Sequence, residues 1–109
     1  MNNGKFEEKI RQFRSHIGMY VVNQDYDTVT AFICGLDYAT DGVMLKGFEK
    51  WLLVKYNLRY SQLWWPALLK LVHENLFSSE NGDSIGFALN NVIEFVSAQS
   101  VNNMEEYAI

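Results

Sequence analysis

The stretch Ala31 to Leu53, AFICGLDYATDGVMLKGFEKWLL, constrains the fold more than any other part of the chain, because it carries two helical periods separated by one abrupt break at Asp41-Gly42. Residues three and four apart share a face of a helix. On that projection Val29, Phe32, Ile33 and Leu36 form an apolar stripe. Ala31, Gly35 and Ala39 line another side, small residues at every fourth position that would let a second backbone come close. Gly in a helix interior is about 1 kcal/mol less favourable than Ala, so close packing is the expected reason for Gly35. A third strip carries Asp27, Thr30, Asp37 and Asp41, too polar to be buried without partners, and is expected to face water or a partner.

The other elements follow from the same period. Phe6, Ile10 and Phe13 recur among Lys5, Glu7, Glu8, Lys9 and Arg11 as a short amphipathic helix, expected over one end of the core. Met19-Tyr20-Val21-Val22 reads as a buried extended connector, and Asn23 and Asp25 or Asp27 are N-cap candidates for the second helix. After Asp41-Gly42, Leu45, Phe48, Trp51, Leu52 and Tyr56 mark the buried face of a third helix, with Lys46 and Lys50 outside and Asn57 as a left-handed stop.

Ser61 is the candidate cap of a fourth helix whose inner side reads Trp64, Leu68, Leu71, Val72 and Leu76, with Lys70 and Glu74 paired outside. Pro66 then belongs in the first turn, where its missing N–H matters least. Ser78 to Gly82 reads as a loop. Asp83 caps a fifth helix in which Ile85, Leu89, Val92, Ile93 and Val96 give the cleanest period in the chain. Periodicity is lost beyond Gln99, so residues 100–109 are expected as a loosely ordered tail. The expectation is one domain over residues 1–109, an all-α, compact bundle of about five helices.

Composition narrows the function. With 49% hydrophobic residues and a single proline the chain lies far from the disordered class. A net charge of -4, with nine scattered basic residues, argues against direct nucleic-acid binding, which needs clustered Lys and Arg. An acidic surface suits an encounter with a basic protein. Cys34 is the only cysteine, which excludes an internal disulfide and a cysteine-based metal site. Neither a signal-peptide core nor an apolar run of membrane-spanning length is visible, so a cytoplasmic protein with no membrane contact is expected.

The catalytic inventory is empty. His16 and His73 have no second ligand at metal spacing, the seven glycines form no phosphate loop, and no nucleophile elbow occurs. Cys34 has no basic neighbour in sequence to activate it and reads as a half-buried structural thiol. Asp37 and Asp41, at i and i+4, could serve as an acid/base pair, but no matching carboxylate motif supports them, and a solvated acidic face is the simpler reading. No enzyme, cofactor or metal is expected. Trp64-Trp65 places adjacent indoles on different parts of one helix, either as core or as an interface anchor.

Three short motifs, Ile17-Gly18-Met19-Tyr20, Ala31-Phe32-Ile33-Cys34-Gly35 and Gly47-Phe48-Glu49-Lys50-Trp51-Leu52, resemble a pattern found in small bacterial immunity proteins of polymorphic toxin and contact-dependent growth inhibition systems. That pattern has Pro-Gly-Met-Tyr after a first helix, Ala-Phe-x-x-Gly in a second, Gly-Phe-x-x-Trp in a third, and a tryptophan-led fourth helix. The resemblance spans residues 6–97. Ile17 stands where the family has proline, and the arginine beside that proline is displaced here to Arg14. The resemblance implies a non-enzymatic protein that binds and neutralises a cognate toxin by covering its active site or substrate surface. Nucleases, whose clefts are basic, are one class of such toxins. It names no contact residues; from the residues themselves, the candidate partner-binding set is Asp27, Asp37 and Asp41 with Tyr38 as an aromatic anchor. The alternative is a small helical domain that holds an apolar molecule between Trp51, Trp64 and Phe95, or acts as a regulatory adaptor.

Overall fold

A computed structural model of the chain describes the backbone of residues 3–59, 62–76 and 83–108, and side chains within these as far as Gln99. The expected cap Ser61 and the expected loop Ser78 to Gly82 lie outside the described residues. Five α-helices form an all-α bundle: α1 (Asn3–Ser15), α2 (Tyr26–Ala39), α3 (Phe48–Lys55), α4 (Trp65–Leu76) and α5 (Ser84–Ala108), with one turn of 3-10 helix at Ile17–Met19. Among the described residues there is no strand, and no helix is long and apolar enough to cross a membrane.

The helix α5 packs against each of the other four. Its Ala88, Leu89, Val92, Ile93, Phe95 and Val96 are all buried, so it presents apolar side chains around most of its circumference, and only Asn90 and Glu94 in that stretch face solvent. Its start is set by Asp83, whose carboxylate accepts the Gly86 N–H at 2.8 Å, a side-chain N-cap. Residues 100–108, expected as a loosely ordered tail, continue α5 as helix. The first helix is more than a lid over one end. Its Ile10 and Phe13 are fully buried, and it makes the most extensive contact with α5 of any helix.

Both stops read from the sequence are left-handed. Asp41 (φ 58°) and Gly42 (φ 76°) end α2 in a Schellman arrangement, with Gly42 N–H bonded to Asp37 C=O at 2.9 Å and Asp41 N–H to Tyr38 C=O at 3.0 Å. Asn57 (φ 54°) ends α3 in the same way, with Leu58 N–H on Leu53 C=O at 2.8 Å. At the other end of α2, Asp25 is the N-cap, its carboxylate accepting the Thr28 N–H at 2.7 Å. That bond holds the Asp25 carboxyl below the ordinary carboxylate range.

Four further expectations change. The ridge Ala31, Gly35 and Ala39 is exposed, and a Cβ built on Gly35 meets nothing within 4 Å, so no backbone packs there. The connector after α1 is largely exposed: Met19 is 80% and Val22 97% accessible, while Val21 is partly covered and the half-exposed Tyr20 ring rests on Phe13 and Phe32. In α4 the buried face is Trp65, Leu68, Leu69, Val72 and His73, whereas Trp64, Leu71 and Leu76 point outward. Lys70 does not pair with Glu74 but lies over the Tyr26 ring, 5.7 Å from its centroid. Pro66 does sit in the first turn of α4.

Two further contacts make the interior specific. Phe48, Trp51, Trp65 and Phe95 form an aromatic cluster with ring centroids 5.1 to 6.0 Å apart. Phe48 thus fills the space beside Trp51 and Phe95 where the apolar-ligand alternative needs room, and Trp64 lies outside it. Asn91, buried in α5, accepts hydrogen bonds from the Lys55 ammonium at 2.8 Å and the Tyr56 hydroxyl at 2.9 Å, and donates to Phe87 C=O at 3.0 Å. A buried amide with all these partners ties α3 to α5 in one register.

Because position 35 is helical, open and remote from other atoms, Gly35→Ala should stabilise the fold by about 0.5 to 1 kcal/mol. Gly47→Ala should do the opposite, since Gly47 sits at φ 84° before α3. Urea denaturation of the two variants checks both signs.

Candidate functional site

Side chains of α2, the turn after it, the start of α3 and the start of α4 line an open cleft of about 1000 Å³, among them Asp37, Tyr38 and Asp41, Lys46, Glu49 and Lys50, and Trp64 and Trp65. The turn between α2 and α3 is stitched from its own polar groups. Asp37 Oδ1 accepts the Leu45 N–H at 2.8 Å, Thr40 Oγ1 donates to Asp37 C=O at 2.8 Å, and the same hydroxyl accepts the Met44 N–H at 3.1 Å. Met44 and Leu45 are thereby turned into the core.

A second, smaller cleft of about 430 Å³ lies on the other side of Trp64, between the first half of α2 and the start of α4; Tyr26, Asp27, Ala31, Pro66, Ala67 and Lys70 line it. The Tyr26 hydroxyl donates to Pro66 C=O and so pins α2 to the first turn of α4. Burial, reinforced by the Asp27 charge, pushes the Tyr26 phenol well above its ordinary value, so it remains a donor at neutral pH. Cys34 and Trp64 belong to both clefts, and Trp64, 60% accessible, forms the ridge between them.

The four residues singled out from the sequence are therefore brought onto one side of the molecule, in different roles. Tyr38 is 85% accessible on the rim of the large cleft. Asp27 and Asp41 are exposed, and the Asp27 carboxylate makes no hydrogen bond or ion pair among the described residues. Asp37 is half-buried and engaged by Leu45, so it holds the turn and is not a free acid. Thr30, counted in the polar strip, is buried, its hydroxyl donating to Tyr26 C=O at 2.9 Å. Nor is the face purely acidic, because Lys46, Lys50 and Lys70 stand among the carboxylates.

Trp64, expected on the inner side of the fourth helix, is exposed instead. Its exposure follows from α4 being apolar on more than one side, which a helical projection alone could not resolve into buried and exposed stripes. Cys34 offers little nucleophilic chemistry. Burial, with the nearby Asp37 charge, pushes the thiol from 9.0 up to about 11, and a hydrogen bond from the Trp65 indole only partly offsets this. It is a neutral thiol near pH 7. Among the described residues no group of three His, Cys, Asp or Glu side chains could hold a metal ion.

No family model, curated protein or solved structure matches this chain.

Two measurements test these roles. Asp37→Ala should lower unfolding stability by about 1 to 3 kcal/mol because the Leu45 N–H loses a charged acceptor, while Asp27→Ala should stay within about 0.5 kcal/mol. The Cys34 thiol binds its proton more tightly folded than unfolded, so its contribution is complete below about pH 9 and is lost as pH rises toward about 11. Stability should fall over that window, and Cys34→Ser should show a shallower fall.

Proposed function

We propose that this chain is a cytoplasmic immunity protein, a stoichiometric and non-enzymatic inhibitor that binds a cognate bacterial toxin through the face around Trp64. The observation that carries the reading is the pair of large exposed aromatics, Tyr38 and Trp64, projecting from a rigid, hydrogen-bonded frame beside two clefts. Tyr and Trp at the centre of a contact supply most of the binding free energy in protein interfaces, and surrounding polar residues exclude water. The resemblance of the Gly-Met-Tyr, Ala-Phe-x-x-Gly and Gly-Phe-x-x-Trp-Leu motifs to immunity proteins supplies the class of partner, and the acidic balance of the chain agrees with a basic toxin. The protein acts by occupying the toxin's active site or substrate surface, and this needs no catalytic group or cofactor.

Asp27 and Asp41 sit among lysines, so their contribution is to orientation and encounter rate more than to residence time. The anchor residues should control dissociation.

Co-expression with the product of the neighbouring reading frame, the expected toxin, tests the proposal. Wild-type protein should co-purify with that toxin and restore growth. Tyr38→Ala and Trp64→Ala should each weaken the affinity by about tenfold or more through faster dissociation. Asp27→Asn with Asp41→Asn should slow association only modestly, and Asn suits the left-handed backbone at position 41. Failure of the wild type to bind or protect would overturn the proposed function; full affinity in both aromatic variants would remove this face as the docking surface.

A further inference from the structure

The smaller cleft has a recognition chemistry of its own. One side carries the Asp27 carboxylate, exposed and with no hydrogen bond or ion pair among the described residues, and another carries the accessible indole of Trp64. Ala31, Pro66 and Ala67 add small or flat apolar surface to the lining. An unpaired carboxylate beside an exposed aromatic ring favours a cation that can also stack. The guanidinium does both: it is planar, always charged, weakly hydrated, and donates two parallel hydrogen bonds to one carboxylate.

The chain itself already shows what this cleft accepts. Lys70, which lines it, places its ammonium over the Tyr26 ring, 5.7 Å from the centroid, although Glu74 lies one helical turn away on the same helix. A cation over an aromatic ring is thus the arrangement adopted here by a flexible side chain that has a carboxylate within reach. Lys70 covers Tyr26 and leaves Trp64 and Asp27 open, so an incoming cation has a ring and a carboxylate to itself and one like charge as a competitor.

Resting on the reading that this face docks a protein partner, we propose that the cleft receives an arginine side chain of that partner, its guanidinium stacked on Trp64 and paired with Asp27. The occupant is part of a protein and not a free metabolite because the cleft is an open notch beside the larger one, with Tyr38 and Trp64 extending a surface that a small molecule could not cover. The arrangement makes Trp64 an anchor twice over, as apolar area and as a cation acceptor.

The test does not depend on having the toxin. Titration of the isotope-labelled protein with N-acetylarginine amide should move the Trp64 indole N–H and the Asp27 and Ala31 backbone signals, and the isosteric but uncharged citrulline amide should not. Asp27→Asn should weaken the arginine response by roughly fivefold, while Lys70→Gln, which removes the competing charge, should strengthen it. Net charge alone would give the same two signs, so the control is Asp83→Asn, which makes the charge change of Asp27→Asn at a residue outside the cleft: it should leave the arginine response unchanged, and a loss equal to that of Asp27→Asn would overturn the inference. No movement of the Trp64 indole, an equal response to citrulline amide, or indifference to Asp27→Asn would overturn the inference and leave the proposed function standing. A wild-type protein that shows the arginine response but neither binds nor protects against the toxin would overturn the proposed function instead, and a toxin that binds equally well to wild type and Asp27→Asn would show that its docking does not use this cleft.

Discussion

Burial of α5 on most of its circumference is the constraint on which the rest of this structure depends. One helix must satisfy four neighbours at once, and its Leu89, Val92, Phe95 and Val96 supply the surface they share. Apolar surface removed from water stabilises by roughly 25 cal/mol per Å², and α5 carries six of the buried apolar side chains of the core, Ala88, Leu89, Val92, Ile93, Phe95 and Val96. Asn91 sets a limit on that apolar face. Its amide must meet Lys55 and Tyr56, which fixes the rotation of α3, and a slipped packing would leave buried polar groups without partners.

The candidate site is downstream of that packing. Once α3 and α4 are fixed on α5, Phe48 and Trp65 meet in the core, and the chain between α2 and α3 must return within a few residues. Asp37 and Thr40 make the return by bonding to backbone groups of the turn, so the large cleft has a wall made of structure that cannot easily collapse. Trp64 is pushed outward for the same reason: with Trp65 committed to the aromatic cluster, the residue before it is rotated by about 100° on the helix and emerges between two clefts. Exposure of this indole is a consequence of the core and not a failure of it.

Much of the architecture was legible in the chain itself. The period of α5, the stripe Val29, Phe32, Ile33 and Leu36, the Asp25 and Asp83 caps and the left-handed stops at Asp41-Gly42 and Asn57 all have local causes, and local causes can be read from local sequence. The misses have tertiary causes. Ala31, Gly35 and Ala39 look the same whether a helix packs on them or water does, and here water does. Trp64 and Leu71 fit an apolar period as well as Trp65 and Leu69 do, so only the neighbours of α4 decide which stripe is buried. Met19 and Val22 are apolar yet exposed, since a connector between α1 and α2 goes where its ends require. Asp37 read as a free acid because its partner, the Leu45 N–H, lies eight residues away across a turn. Asp27, Tyr38 and Asp41 were visible as candidates; that they flank Trp64 was not.

The central claim is that the face built by α2, its following turn and the start of α4 is where a protein partner docks. Amide hydrogen exchange on the toxin complex tests it most directly, because exchange reads every part of the backbone at once. The account predicts added protection across residues 37–50 and 62–71, centred on the turn and on Trp64, with α1 unchanged. Protection concentrated instead on residues 17–22, around the exposed Met19 and Val22, would contradict it.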